Sequence, residues 1–236
     1  MRLFIAIGLI LLFGQINAQI YELGVFVGGT NNIGDVGNAN FISPSGPALG
    51  ALFKWNKSKR YAWRASIIYG EFIADDSKSS MASRVERNFA VKNSVTEFSA
   101  GLEVNFVEYN LHRLGSAFTP YLYTGLTYFR YDYNYIDARD LVNEGQKDGT
   151  FAIPMTVGFK KRISQFLILG GEIGARYTFT DNLDASHPEK LDLVDETTGA
   201  PFDPKFGNIF SKDWYVFTGL TLTYTFGRKP CSDCFE

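Results

Sequence analysis

The sequence predicts an all-β fold: an eight-stranded antiparallel transmembrane β-barrel of the up-and-down type. Three observations predict this class. The chain opens with a secretory leader, eight later segments alternate apolar and polar residues, and the connections between those segments alternate between long and short. Because the short turns of such a barrel lie on the periplasmic side, we expect both the N- and the C-terminus there.

The first residues have the pattern of a signal peptide. Arg2 supplies a positive start, Leu3 to Phe13 is apolar, and the small residue Ala18 suits cleavage before Gln19. A membrane-anchoring helix is the alternative, but the apolar run is shorter than the roughly 20 residues that a span needs. The predicted division is a signal peptide over 1–18, an outer-membrane barrel over 19–227 and a periplasmic tail over 228–236.

Each of the eight segments combines alternation with β-branched or aromatic residues and turn residues at its ends. The predicted strands are Tyr21–Gly29, Pro47–Trp55, Tyr61–Ala74, Val95–Phe106, Phe118–Tyr133, Phe151–Arg162, Phe166–Phe179 and Trp214–Phe226. Long loops are predicted at 30–46, between the third and fourth strands, at 134–150 and at 180–213. Short links are predicted at 56–60, 107–117 and 163–165.

The two faces of the predicted strands indicate a membrane barrel. One face is aliphatic and aromatic, and the chain holds 21 Phe and 13 Tyr. The other face carries charges among small residues: Glu22, Arg64, Glu97, Glu103, Lys160, Glu172 and Arg176. A soluble barrel of the lipocalin kind would turn its apolar face inward, and these charges could not fill a dry core without a large desolvation cost. They could fill a narrow polar lumen as paired charges.

Composition and the placement of polar residues argue against several function classes. The chain has 23 basic and 25 acidic residues, which gives no reason to expect a nucleic-acid partner. Neither His112 nor His187 is predicted to sit on a strand beside a poised Ser, so we expect no catalytic residue, no cofactor and no small-molecule substrate. No cluster has metal-ligand spacing. The acids at Asp75–Asp76 and at 192–196 are expected to be solvated loop charges.

The tail after the last strand holds the only two cysteines, Cys231 and Cys234. In an oxidising periplasm this spacing favours a local disulfide. A thioredoxin-type site needs a folded scaffold that a short tail lacks. Half of a zinc site completed by another chain is the remaining alternative.

Several segments, in order, resemble the PorG family, small outer-membrane barrels of the type IX secretion system. They are QIYELGVFVGG from Gln19, NIGDVG from Asn32, GALFKWN from Gly50, FTPYLYTGL from Phe118 and YTFGRKPC from Tyr224. The resemblance spans nearly the whole mature chain. It implies a non-enzymatic scaffold in the outer-membrane lipids that contacts the periplasmic ring of that system, formed by a lipoprotein and its partner subunit.

If the resemblance holds, the periplasmic surfaces are the candidate contacts. They comprise Asn56, Lys57, Lys59, Arg60, Asn110, His112, Arg113, Arg228 and Lys229. Two alternatives stay open. One is a general surface barrel of the OmpA or OmpX type, acting through its long loops in adhesion or envelope integrity. The other is a lipid-modifying barrel enzyme, which requires a Ser–His pair at the lipid-facing rim.

Overall fold

The computed structural model describes residues 20–111, 117–137, 140–188, 193–194, 201–208 and 210–227. Its strands, in chain order, are β1 (Ile20–Ile33), β2 (Gly46–Asn56), β3 (Tyr61–Asp75), β4 (Ala90–Asn105), β5 (Phe118–Asp137), β6 (Asp140–Arg162), β7 (Leu167–Thr178), β8 (Leu193–Val194), β9 (Pro201–Phe202) and β10 (Trp214–Phe226). A 3₁₀ turn at Asp76–Lys78 and a short helix, α1 (Ala82–Arg87), separate β3 from β4.

Eight of these strands form one closed antiparallel barrel in sequence order, while β8 and β9 form a separate two-stranded antiparallel sheet. Closure is made by β1 and β10, which pair over their whole length from Tyr21↔Phe226 to Ile33↔Trp214. Because every barrel strand has a neighbour on both sides, the barrel presents no unpaired edge. The predicted fold class is confirmed.

The barrel is inverted relative to a soluble protein, because its charged face is inside. On β4, Glu97 and Glu103 are fully buried, whereas Phe98 is 56% exposed and Val104 is 44% exposed. The same alternation holds on β6, where Lys160 is buried in the lumen and Val157 and Phe159 are exposed on the outer face. An outer surface of this kind is stable only against an apolar solvent, which is the property of a transmembrane barrel.

The outward apolar residues form a belt nearly as high as the roughly 25 Å apolar band of transmembrane barrels. On β4 the outward apolar run extends from Phe98 to Phe106, which is about 26 Å along the strand and ~20 Å along the barrel axis at the usual tilt. Outward ion pairs mark the limit of the belt at the end of the barrel that carries the long connections. Lys92 pairs with Glu71 at 3.3 Å, and Lys147 pairs with Asp132 at 3.1 Å. In the part of the chain that the structure describes, no helix is long and apolar enough to span a membrane.

The two ends of the barrel differ in their connections. The turn end carries the short connections and both described chain ends, and the loop end carries the long ones. The strands rise past the apolar belt at the loop end. The predicted loop at 134–150 was wrong, because β5 and β6 continue as a hairpin that pairs as far as Asp137↔Asp140, with an irregularity between Asp132 and Asn134. The alternation of tyrosines at 131, 133 and 135 continues β5 into that region.

Candidate functional site

The lumen holds buried charges along its length. Arg162, which is also buried, lies at the turn end and donates to Leu111 O; we call the remaining set the lumen network. It consists of four acids and four bases, all buried: Glu22, Glu97, Glu103, Glu172, Lys54, Arg64, Lys160 and Arg176. Seven of them were predicted from strand alternation. Lys54 was missed, although it lies between the outward residues Phe53 and Trp55 and its alternation therefore indicated an inward side chain.

Glu103 is the centre of the part of this network nearer the turn end. Lys160 donates to Glu103 Oε1, Lys54 Nζ lies 2.8 Å from Oε2, and Arg64 Nη1 lies 3.7 Å from the same oxygen. The guanidinium of Arg64 also makes a two-pronged contact with Glu172, with both N–O distances at 2.7 Å. Charge-assisted pairs of this geometry are among the strongest hydrogen bonds in proteins.

The rest of the network is held by similar contacts. Arg176 donates to both oxygens of Glu97, at 3.0 and 2.8 Å, and the hydroxyl of Tyr215 donates to the same carboxylate. Glu22 accepts from the side chains of Asn56 and Thr223, at 2.8 and 2.9 Å. The charges therefore fill the bore and neutralise each other, so the eight-stranded barrel has a packed lumen instead of an aqueous channel.

At the turn end, the link after β4 folds into the mouth of the barrel and closes it. Tyr109 and Leu111 are buried against Ile20 and Ile168. The ring of Tyr109 lies 4.8 Å from the ammonium of Lys160. Part of the link predicted as a periplasmic contact surface is therefore a plug, because its apolar side chains are driven into the lumen mouth.

The predicted contact residues divide into three groups. Lys57, Lys59 and Arg60 are exposed at the turn end, as expected. Asn56 and Asn110 are half-buried, and the amide of Asn56 is bound to Ile20 O and Glu22. The remaining predicted residues lie outside the described part of the chain: His112, Arg113, Arg228, Lys229, Cys231 and Cys234. The signal peptide and the disulfide, which fall there too, stay predictions.

At the loop end, residues 34–45, 76–89 and the described part of 179–213 form a layer that we call the loop-end cap. Asp76, which was predicted to be a solvated charge, is fully buried. It accepts from the amides of Gly37 and Phe89 and from the guanidinium of Arg87. The prediction was wrong because the buried carboxylate is stabilised by donors from its own loop and from the distant loop at 34–45, which no local pattern reveals.

A second buried carboxylate pair ties the last long loop into the cap. Asp184 accepts from the amides of Asp35 and Val36, and Asp213 accepts from the amide of Leu183. Both carboxylates border the same Cα, that of Gly34, and so lie side by side. Burial raises the pKa of Asp184 and, more strongly, the pKa of Asp213, with the neighbouring Asp184 charge adding to the second shift.

One Ser–His–Asp grouping occurs in the cap. Ser186 Oγ lies 3.1 Å from His187 Nδ1, and Asp181 Oδ2 lies 3.6 Å from the same nitrogen. In a catalytic triad the serine and the acid engage opposite ring nitrogens. Here both face Nδ1, and Nε2 has no hydrogen-bond partner among the described residues. The grouping is buried and does not have the geometry of a proton relay.

The model of a family described as "Domain of unknown function (DUF6089)" matches residues 1–235. The chain belongs to this family. No curated protein matches it. Among solved structures, Neisserial surface protein A has a TM-score of 0.45 at 8% identity, covering 89% of this chain and 98% of that one. OprG from Pseudomonas aeruginosa gives 0.45 at 10% identity, covering 88% and 95%. Ail from Yersinia pestis gives 0.42 at 7% identity, covering 88% and 97%.

Proposed function

We propose that this chain is a non-enzymatic outer-membrane barrel that anchors or contacts the periplasmic ring of the type IX secretion system. The observation that carries the non-channel part of this proposal is the lumen network. Four acids and four bases are buried inside the barrel, and most of them are joined by ion pairs. A barrel that conducts nothing through its centre works through its rims or as an anchor.

In this proposal, the turn end of the barrel lies in the periplasm. Both described chain ends lie there, and in outer-membrane barrels short turns face the periplasm. The turn at 56–60 exposes Lys57, Lys59 and Arg60 at this rim, and long-range charge of this kind steers a partner of opposite sign. The specific assignment to type IX secretion is supported by the resemblance of the sequence segments to the PorG family. The proposed partners are the ring lipoprotein and its partner subunit.

The test is affinity purification of the tagged chain from mild detergent, together with export of signal-tagged cargo in a deletion strain. We expect ring subunits in the eluate and a loss of export. A triple charge reversal at Lys57, Lys59 and Arg60 should reduce recovery of the ring. The matched control is Lys147→Glu with Lys92→Glu at the loop end, which should not. Normal export without the chain, and an eluate without ring subunits, would reject this role.

A second candidate function is that of a general surface barrel acting through its loops, and one observation favours it. The loop-end cap is cross-bonded by Asp76 and Asp184, each of which accepts from two or more backbone amides. Such a cap is a rigid, pre-organised outward surface, which a binding protein needs in order to avoid the entropic cost of ordering loops. Loss of adhesion after replacement of residues 34–45, with secretion unchanged, would support this candidate over the first.

A further inference from the structure

The apolar outer face of the barrel is interrupted by a depression on β2, β3 and β4. Its floor is the neighbouring pair Ala65 and Ala100, which face each other across β3 and β4. Larger outward side chains from the same row and the rows beside it surround the pair: Phe53, Trp63, Ile67, Phe98, Leu102 and Leu126. The depression has a volume of about 320 Å³ and opens outward. The two alanines, surrounded by larger side chains, thus form a concavity on the lipid-facing side of the barrel.

A group of cations lies at the turn end of this depression. Trp55 pairs with Trp63 across β2 and β3, and the ammonium of Lys57 lies 5.2 Å from the Trp55 ring. Lys59 and Arg60 follow in the same turn and share the single carboxylate of Glu108 at 3.8 Å. In the described part of the chain no carboxylate forms a salt bridge with Lys57. The turn therefore carries a net positive charge beside the apolar depression.

The spacing of these two features matches the cross-section of a membrane leaflet. From Lys57 to the row of Phe53 is a distance of about 13 Å along the strand, or ~10 Å along the barrel axis at the usual tilt. The hydrocarbon layer of one leaflet is roughly 15 Å deep. When Lys57 lies at the level of the headgroups, Ala65 and Ala100 lie within the acyl region of the same leaflet.

We propose that this depression binds an anionic phospholipid of the periplasmic leaflet, with one acyl chain against Ala65 and Ala100 and the phosphate at Lys57. The inference rests on the membrane orientation given under the proposed function, and it is independent of the secretion role. Charge complementarity selects an anionic headgroup, since the turn is positive. The acyl chain fills the depression and makes dispersion contacts with its walls. Those contacts would be lost if the depression stayed empty.

The three tryptophans of the chain allow a direct test. Trp55 and Trp63 lie at the depression, and Trp214 lies near the loop end, so a Trp214→Phe variant emits only from the proposed site. This variant is reconstituted in phosphatidylethanolamine vesicles that contain a small fraction of acyl-brominated lipid, either phosphatidylglycerol or phosphatidylethanolamine. We expect the brominated anionic lipid to quench with a relative association constant of about five, the enrichment that one lysine gives at a membrane surface.

Two substitutions in that background separate the headgroup contact from the acyl contact. Lys57→Gln should bring the relative association constant close to one, whereas Lys161→Gln, an exposed lysine on β6 at the same end, should leave it unchanged. Joint Ala65→Leu and Ala100→Leu changes fill the depression and should weaken quenching. Ala175→Leu, on the outer face of β7, should not.

Each outcome decides a different point. Equal quenching by the two lipids, unchanged in every variant, overturns the proposal. Sensitivity to Lys57→Gln with none to the two leucines overturns the acyl site and leaves only surface attraction. A barrel that folds yet does not insert into vesicles, with no quenching by either lipid, contradicts the membrane placement under the proposed function instead.

Discussion

Replacing Glu103 by Gln tests whether the lumen is a dry network of paired charges. Glu103 is fully buried, and Lys54 and Lys160 both depend on its carboxylate. Arg64 does not, because it retains its two contacts with Glu172 at 2.7 Å. The substitution keeps the shape of the side chain and changes the lumen network from four acids and four bases to three and four.

The magnitude follows from leaving buried cations without their shared partner. Removing one member of a buried ion pair costs about 3–5 kcal/mol, and we expect the free energy of unfolding to fall by that amount. The assay is a urea titration of the barrel in detergent micelles, followed by tryptophan emission. Glu108→Gln is the matched control, since its ion pairs are exposed and 3.8 Å long, and it should cost ~0–1 kcal/mol.

A double substitution separates charge balance from general damage to the lumen. Glu103→Gln combined with Lys160→Met leaves three acids and three bases, so part of the lost stability should return. A cost for Glu103→Gln no larger than that of Glu108→Gln would refute the reasoning. It would mean that water reaches the lumen and screens these charges, contrary to their burial.

Three further predictions concern the two ends of the barrel. Asp76→Ala should increase amide exchange at Phe89, whose N–H it accepts at 3.1 Å, because each buried amide left without an acceptor costs about 1–3 kcal/mol. Unchanged protection would contradict a structural role. Burial raises the pKa of Asp213, so the stability that this one group contributes to the cap is fully present in acid and is lost as pH rises through the raised pKa. Protection of the Leu183 amide, corrected for intrinsic exchange, should therefore fall as the pH rises above the ordinary pKa range of aspartate in the native chain but not in Asp213→Asn, and equal trends in both would reject the assignment. Tyr109→Ala should destabilise the barrel by ~3–5 kcal/mol yet give no ion conductance in planar bilayers, because the lumen network remains; channel currents would show that the plug alone closes the bore.

The barrel was predictable from the sequence because the alternation of lipid-facing and lumen-facing residues can be read within each strand. A strand that separates lipid from a polar lumen must alternate at every second residue, so Glu97 and Phe98 reveal their faces without any knowledge of the neighbouring strands. The seven predicted lumen charges follow from the same rule. Their pairing does not, since Arg64 and Glu172 are 108 positions apart and meet only through closure of the sheet.

The loop-end cap was not predictable, because its contacts are long-range and irregular. Asp76 and Gly37 are 39 positions apart, and Asp184 and Val36 are 148 apart. A carboxylate in a polar loop has the same local appearance whether it is solvated or holds several amides. The plug at Tyr109 was missed for a related reason: an isolated aromatic in a short link shows no periodicity from which its face can be inferred.

The two ends of the barrel differ in the kind of interaction they can support. At the loop end, buried carboxylates accept hydrogen bonds from backbone amides and hold the loops together. A partner that binds there would therefore meet a fixed shape. At the turn end, the apolar side chains are drawn into the plug, and the positive charges of Lys57, Lys59 and Arg60 remain outside with one shared acid. That end offers charge on flexible side chains beside a lipid-facing depression. Binding there should weaken steeply with ionic strength, whereas binding at the cap should depend on the integrity of Asp76 and Asp184, and this contrast assigns any future partner to one end.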